Sequence, residues 1–235
     1  MRFKLPRWFS HRGGGLLAPE NTLAGIRLAA SLGVSAVEFD VMLSAEGTPF
    51  LIHDDTLERT TNGFGLVAEA RDDYLRQLDA GGGEPLPLFT EAAQLCRELG
   101  LFVNIEIKPS PGVEGETGLV VAQQAFHLWQ EQLDKVLISS FSETALTMAK
   151  AYAPMIRRGL LFELAPPDIL ARMQRIDAFS LHLSATCIDS AVLSVAHQAG
   201  IPVLAYTVND RNCAQALFAQ GVAAVFTDFP DRCRD

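Results

Sequence analysis

The chain reads as an α/β protein of the (β/α)8 class, a TIM barrel with a small insertion after the second strand. Short runs rich in β-branched residues alternate with amphipathic helical windows from one end of the sequence to the other. Its 235 residues are close to the roughly 250 that eight such units occupy. A doubly wound sheet fits less well, because Gly13-Gly14-Gly15 runs into Leu16 and Leu17 and lacks the G-x-G-x-x-G spacing of a dinucleotide loop.

Strands are expected at Arg7 to Ser10, Ala36 to Val41, Leu101 to Ile107, Lys135 to Ser140, Arg157 to Phe162, Ala178 to Leu183, Pro202 to Thr207 and Ala223 to Thr227. Helices are expected at Asn21 to Leu32, Thr90 to Leu99, Thr117 to Leu133, Glu143 to Ala151, Ser190 to Ala199 and Arg211 to Gln220. Four of these end in Leu32-Gly33, Leu99-Gly100, Ala199-Gly200 and Gln220-Gly221, where glycine can adopt the left-handed cap. Only Asp228 to Asp235 follow the last strand, too few for an eighth helix.

The rhythm breaks at 54–87, where Thr60-Thr61-Asn62-Gly63, Gly65 and Gly81-Gly82-Gly83 mark a long insertion. Pro49 to Ile52 extends or bends the second strand ahead of it, and Tyr74, Leu75 and Leu78 suit a helical turn that anchors an ordered subdomain over one end of the barrel. One domain, 1–235, with this insertion accounts for the whole sequence.

With 19 Lys+Arg against 28 Asp+Glu, the net charge of −9 argues against a nucleic-acid partner, which needs a basic face. No run approaches the roughly 18 apolar residues that span a bilayer, so no stable membrane insertion is expected. The first nine residues hold Arg2, Lys4 and Arg7 without an apolar stretch, and no secretion signal is read there. Cys96, Cys187, Cys213 and Cys233 lack metal or disulfide spacing and read as reduced, buried thiols of a cytoplasmic protein. The outer helices of a barrel offer faces for a homo-oligomer, but single-sequence reading does not locate them.

Barrel enzymes place their reacting groups at the C-terminal ends of strands. There the sequence carries His11-Arg12-Gly13, Glu38-Phe39-Asp40, His53-Asp54 and Glu106-Ile107-Lys108. Side chains alternate along a strand, so Glu38 and Asp40 share a face opposite Phe39, and Glu106 lies on the same face as Lys108. Inward carboxylates from neighbouring strands repel unless protons or a cation lie between them, and an all-oxygen set suits Mg2+ or Ca2+ rather than zinc. Taken singly, each motif is more often a solvated strand face, a turn or a cap; their convergence at strand ends is what points to a site. His182 is expected to face inward, as a structural polar layer or a substrate contact. Tyr206 and Phe162 are candidate pocket walls, His127 and His197 belong to outer helices, and Asp228 reads as the cap of a terminal turn.

Together with Ala18-Pro19-Glu20-Asn21-Thr22, Arg59-Thr60-Thr61, Asn104-Ile105-Glu106-Ile107-Lys108-Pro109 and Tyr206-Thr207-Val208-Asn209, these motifs resemble the glycerophosphodiester phosphodiesterase family, above all its bacterial cytosolic branch. The resemblance covers nearly the whole chain. It implies hydrolysis of glycerophosphodiesters, such as glycerophosphocholine and glycerophosphoethanolamine, to sn-glycerol 3-phosphate and an alcohol. By that likeness His11 and His53 are the acid/base pair, Glu38, Asp40 and Glu106 the ligands of a divalent metal, and Arg12 and Lys108 the phosphate holders, with Glu20 orienting groups near the first loop. The chemistry is coherent: cationic groups offset charge that grows on the phosphoryl oxygens, and two imidazoles with ordinary pKa near 6.5 can take and give a proton near neutral pH. His11 is taken as the base of the first step and His53 as the acid, though the residues allow the reverse. They also leave open whether water attacks directly or follows a cyclic phosphate. Two other functions compete: a lysophospholipase D, which needs an apolar entrance, and a non-catalytic barrel that binds phosphorylated ligands, which would lack one of these positions.

Overall fold

A computed structural model of the chain describes residues 5–233; Arg2 and Lys4, on which the leader reading partly rests, lie outside them. The elements run β1 (Trp8–Ser10), α1 (Leu23–Ser31), β2 (Ala36–Leu43), β3 (Pro49–Leu51), α2 (Asp72–Leu75), α3 (Phe89–Glu98), β4 (Phe102–Ile107), α4 (Glu114–Trp129), β5 (Val136–Ser140), α5 (Glu143–Tyr152), β6 (Arg157–Phe162), α6 (Ile169–Ile176), β7 (Ser180–Ser184), α7 (Ser190–Gln198), β8 (Val203–Tyr206), α8 (Arg211–Ala219) and β9 (Ala224–Thr227). All strands but β3 are parallel, and pairing of β1 with both β2 (Ser10 to Val37) and β9 (Phe9 to Phe226) closes the sheet into an eight-stranded TIM barrel.

Local chemistry starts and stops the helices. Thr22, Ser142, Asp189 and Asp210 each accept a backbone N–H from the first turn of α1, α5, α7 and α8, satisfying a donor that the helix itself cannot. Gly33, Gly100, Gly200 and Gly221 all take positive φ at the expected stops. Helix α6 was not among the expected windows. It is short, follows Pro166-Pro167, and ends on Asp177 in the left-handed conformation rather than on glycine, so it carries no glycine stop to read. Among the described residues, β9 is followed by a 3-10 turn at Pro230–Arg232 and no helix.

The barrel interior is divided by height. Phe9, Ala36, Phe102, Leu137, Leu204, Ala224 and Phe226 plug its N-terminal half, with the Phe9 ring 5.0 Å from Phe226 and 5.6 Å from Phe102. Two residues further along β2 and β4 the same inward face becomes polar, at Glu38 and Asn104 and then at Asp40 and Glu106. The alternate face, including Val37, Phe39 and Val41, packs against the outer helices.

Pro49 to Leu51 neither extends nor bends β2; it folds back antiparallel on it, Val41 opposite Leu51 and Leu43 opposite Pro49, through a turn closed by Ser44 and Thr48. The segment that follows has its own small core of Met42, Phe50, Ile52, Leu57, Val67, Leu75, Leu78 and Leu86. Leu75 and Leu78 anchor it as expected, whereas Tyr74 is exposed and acts through its hydroxyl, which accepts the Phe64 N–H at 2.9 Å.

No disulfide joins the cysteines among the described residues, and of the four Cys96 alone is buried. Cys213 is exposed because α8 turns its neighbour Ala214 and Leu217 to the sheet instead. His127 and His197 lie on α4 and α7 of the outer ring, where His197 Nε2 donates to the Gly221 carbonyl. Among the described residues no helix is long and apolar enough to cross a membrane. Leu75→Ala, which empties the centre of the insertion core, is expected to cost about 2–5 kcal/mol in urea unfolding.

Candidate active site

Asp40 pairs with Glu106 and Glu38 with Asn104 across the β2–β4 ladder, so three carboxylates converge at the C-terminal end of the barrel. One oxygen from each of Glu38, Asp40 and Glu106 lies within 4.8 Å of the other two. Burial, and then repulsion from Asp40 and Glu106, push Glu38 well above the ordinary carboxylate range; burial and Asp40 push Glu106 up as well, against the pull of Lys108 and Arg12. Glu38 Oε1 has no hydrogen-bond partner although it is shut away from water. A buried acceptor without a donor, inside an oxygen-only triad, is what a hard divalent cation would satisfy, and these three residues could hold one.

Each candidate histidine is anchored through Nδ1. His11 Nδ1 lies 2.6 Å from Asp228 Oδ1, and His53 Nδ1 lies 2.6 Å from Asp54 Oδ1. A carboxylate only accepts, so Nδ1 carries the proton in both and Nε2 is turned to the cavity. His11 Nε2 is 3.9 Å from Glu38 Oε2, and His53 Nε2 accepts from Lys108 Nζ at 3.0 Å. Lys108 Nζ is also 3.8 Å from Glu106.

The loop after β1 delivers the other groups. Arg12 sits at φ 50°, with its backbone N–H donating to Glu38 Oε2 at 2.8 Å and its guanidinium donating to Glu20 at 2.8 Å. Asn21, also left-handed, donates to Asp40 Oδ2 and accepts the Asp40 N–H. Gly15 is required here because a Cβ on it would stand 2.1 Å from the Asp228 carbonyl oxygen, against which the loop is stitched by Leu16 N–H.

His11, Arg12, Glu38, Asp40, His53, Glu106 and Lys108 thus line one cavity of about 380 Å3. A wider lobe of about 690 Å3 shares His53, Glu106, Lys108 and Phe141 with it. His182 does face inward onto the cavity, where burial pushes its imidazole down to about 3. Tyr206 walls the cavity, its hydroxyl donating to the Phe162 carbonyl. Phe162 itself does not line the cavity: strand parity sends Leu161 inward and Phe162 toward Arg172 on α6. Asp228 does not cap a terminal turn; it accepts a hydrogen bond from His11 Nδ1 and is steadied by Asn209 Nδ2 at 2.8 Å. Burial works to raise Asp228, and the bonds from His11 and Asn209 outweigh it. The sequence held only a faint sign of this pair, since Asp228 and Asn209 each stand just beyond a strand end.

The model of the glycerophosphoryl diester phosphodiesterase family matches residues 11–232. The chain belongs to this family. Glycerophosphodiester phosphodiesterases of Caldanaerobacter subterraneus and Bacillus altitudinis are each 31% identical to it, over 94% and 95% of this chain and 93% and 95% of theirs. An Oleispira antarctica phosphodiesterase, solved in complex with the product sn-glycerol-3-phosphate, is 39% identical, with a TM-score of 0.93 over 97% of this chain and 95% of that one. A glycerophosphodiester phosphodiesterase from Agrobacterium tumefaciens is 28% identical, with a TM-score of 0.80 over 97% and 98%. As a member of the family the chain is an enzyme, a phosphoric diester hydrolase.

The raised carboxyls tie stability to pH. Above the ordinary glutamate value of 4.5, folded Glu38 and Glu106 retain protons that the unfolded chain has released, so in EDTA stability falls as pH rises. A cation held by the triad would take the place of those protons. The gain in Tm on adding Mg2+ or Ca2+ is therefore expected to be larger at pH 8 than at pH 5, and equal gains at both would count against a carboxylate cation site.

Proposed function

We propose that this phosphodiesterase hydrolyses glycerophosphodiesters such as glycerophosphocholine and glycerophosphoethanolamine to sn-glycerol 3-phosphate and an alcohol. The observation that carries this reading is the meeting of two carboxylate-anchored histidines, a carboxylate triad and two cationic side chains in one cavity. The product named for the Oleispira antarctica phosphodiesterase supports the glycerol end of the assignment.

Glu38, Asp40 and Glu106 would hold Mg2+ or Ca2+, which would supply Lewis-acid stabilisation of the phosphoryl charge. Arg12 and Lys108 bind that phosphate and meet the charge that builds in the transition state. His11 takes the proton of the attacking hydroxyl at Nε2, and His53, carrying a proton on both ring nitrogens, gives the one at Nε2 to the departing alkoxide; Asp228 and Asp54 orient the two rings through Nδ1. Two routes suit the same residues, attack by water or attack by the glycerol 2-hydroxyl followed by hydrolysis. In this reading residues 1–235 act as one catalytic domain with the 54–87 insertion over its mouth, and the enzyme works in the cytoplasm on small diesters.

The test is release of sn-glycerol 3-phosphate from both diesters by purified protein, in EDTA and after adding Mg2+ or Ca2+. Metal-dependent release that falls at least about 100-fold in His11→Ala is expected. Folded protein that releases nothing with either metal would overturn the assignment.

A further inference from the structure

Arg59 is brought by the insertion to the place where the two halves of the site meet. Its Nε and Nη2 donate to Asp54, the partner of His53, with Nη2 at 2.9 Å from Oδ1. Its Nη1 and Nη2 donate to Glu20 at 2.7 and 2.9 Å, and Glu20 Oε1 also takes the Arg12 guanidinium at 2.8 Å. A continuous run of charge-assisted bonds therefore leads from His53 through Asp54, Arg59 and Glu20 to Arg12. His11 is not part of it, since Asp228 is held by Asn209 instead.

We infer that Arg59 is a positioning residue of the reaction, a single guanidinium that sets His53 on one side of the phosphate and Arg12 on the other. The inference rests on the phosphodiesterase reading above and adds to it a residue that touches no substrate. Three further observations support it. The loop carrying Arg59 is rigid: Leu57 is buried in the insertion core, Leu57 N–H donates to the Gly65 carbonyl, and Thr61 binds the Leu57 carbonyl through both its N–H and its hydroxyl. The charges persist near neutral pH, because the Arg59 bonds hold Asp54 low, and at Glu20 they and Arg12 outweigh burial. Arg59 is itself 46% exposed, and ion pairs so open to water add little to stability, so what this network supplies is geometry. A guanidinium suits the task because its planar fork can grip two carboxylates at once, which a single ammonium cannot.

The experiment compares the full chain with Arg59→Ala, Arg59→Lys, Glu20→Gln, the double variant Arg59→Ala/Glu20→Gln, and Arg71→Ala, an exposed arginine of the same insertion that pairs with Glu46 and Asp73. Activity is measured on glycerophosphocholine with Mg2+ or Ca2+, beside thermal unfolding. Arg59→Ala is expected to keep its Tm within a few degrees yet lose about 100-fold in kcat/KM, the scale on which small misplacements act. The loss divides between a lower kcat, from His53, and a higher KM, from Arg12. Arg59→Lys recovers only part, millimolar guanidinium restores part of the activity of Arg59→Ala, and the double variant loses less than the product of the single losses. Arg71→Ala matches wild type. Kinetic constants of Arg59→Ala within twofold of wild type would overturn the inference, as would a loss that follows only the fraction of folded protein with no guanidinium rescue. Wild-type protein that released nothing would instead strike at the phosphodiesterase reading beneath it.

Discussion

Glu38, Asp40 and Glu106 bring their oxygens within 4.8 Å of one another where little water reaches. At an effective dielectric near 20, two unit charges about 5 Å apart repel by roughly 3 kcal/mol. Much of the surrounding structure answers that repulsion. Arg12 offers its backbone N–H to Glu38 and its guanidinium lies 3.9 Å from Asp40 Oδ2; Asn21 donates to that same oxygen, and Lys108 stands beside Glu106. These groups reduce the strain without removing it, since Glu38 and Glu106 still hold protons more tightly than free carboxylic acids. A site left short of positive charge in this way could hold a cation.

Holding such a cluster requires a stiff frame. The apolar plug of Phe9, Phe102, Leu137, Leu204 and Phe226 fills the lower barrel and leaves the polar residues a solid floor. Above it, the loop after β1 is bound to both of its neighbours: His11 N–H reaches the Thr227 carbonyl at the end of β9, Leu16 N–H the Asp228 carbonyl just beyond it, and Gly13 N–H the Glu38 carbonyl. Two of the three glycines are needed for close approach: Gly15 lies directly on the Asp228 backbone and Gly14 on Gly25 of α1, and a side chain at either would occupy the same space.

The insertion has a double role in the same physics. Its small core, seated on Met42 and Phe50, gives it a fixed position on the extended β2–β3 hairpin. Its first residues follow His53, so that His53 and Asp54 line the cavity while Arg59 bonds to Asp54 and Glu20 beside it. A catalytic group carried on a loop is only as well placed as the loop is ordered, and here buried leucines and a short hydrogen-bonded turn supply the order.

The strands, the glycine stops and the inward pairing of Glu38 with Asp40 were legible in the sequence because they are local: period-two alternation and cap chemistry act over a few residues. So was the set of seven cavity residues, since a barrel collects strand ends at one rim. What the sequence did not disclose depends on contacts between distant segments. Asp228 looked like a terminal cap because its partner, His11, lies 217 positions away and meets it only when β1 closes on β9. Pro49 to Leu51 looked like more of β2 because a strand and its returning hairpin share the same alternation. Cys213 looked buried because helical periodicity gives a face but not which neighbour covers it. The run from His53 to Arg12 likewise exists only once the insertion is seated, for ion pairing follows distance in space and not order along the chain.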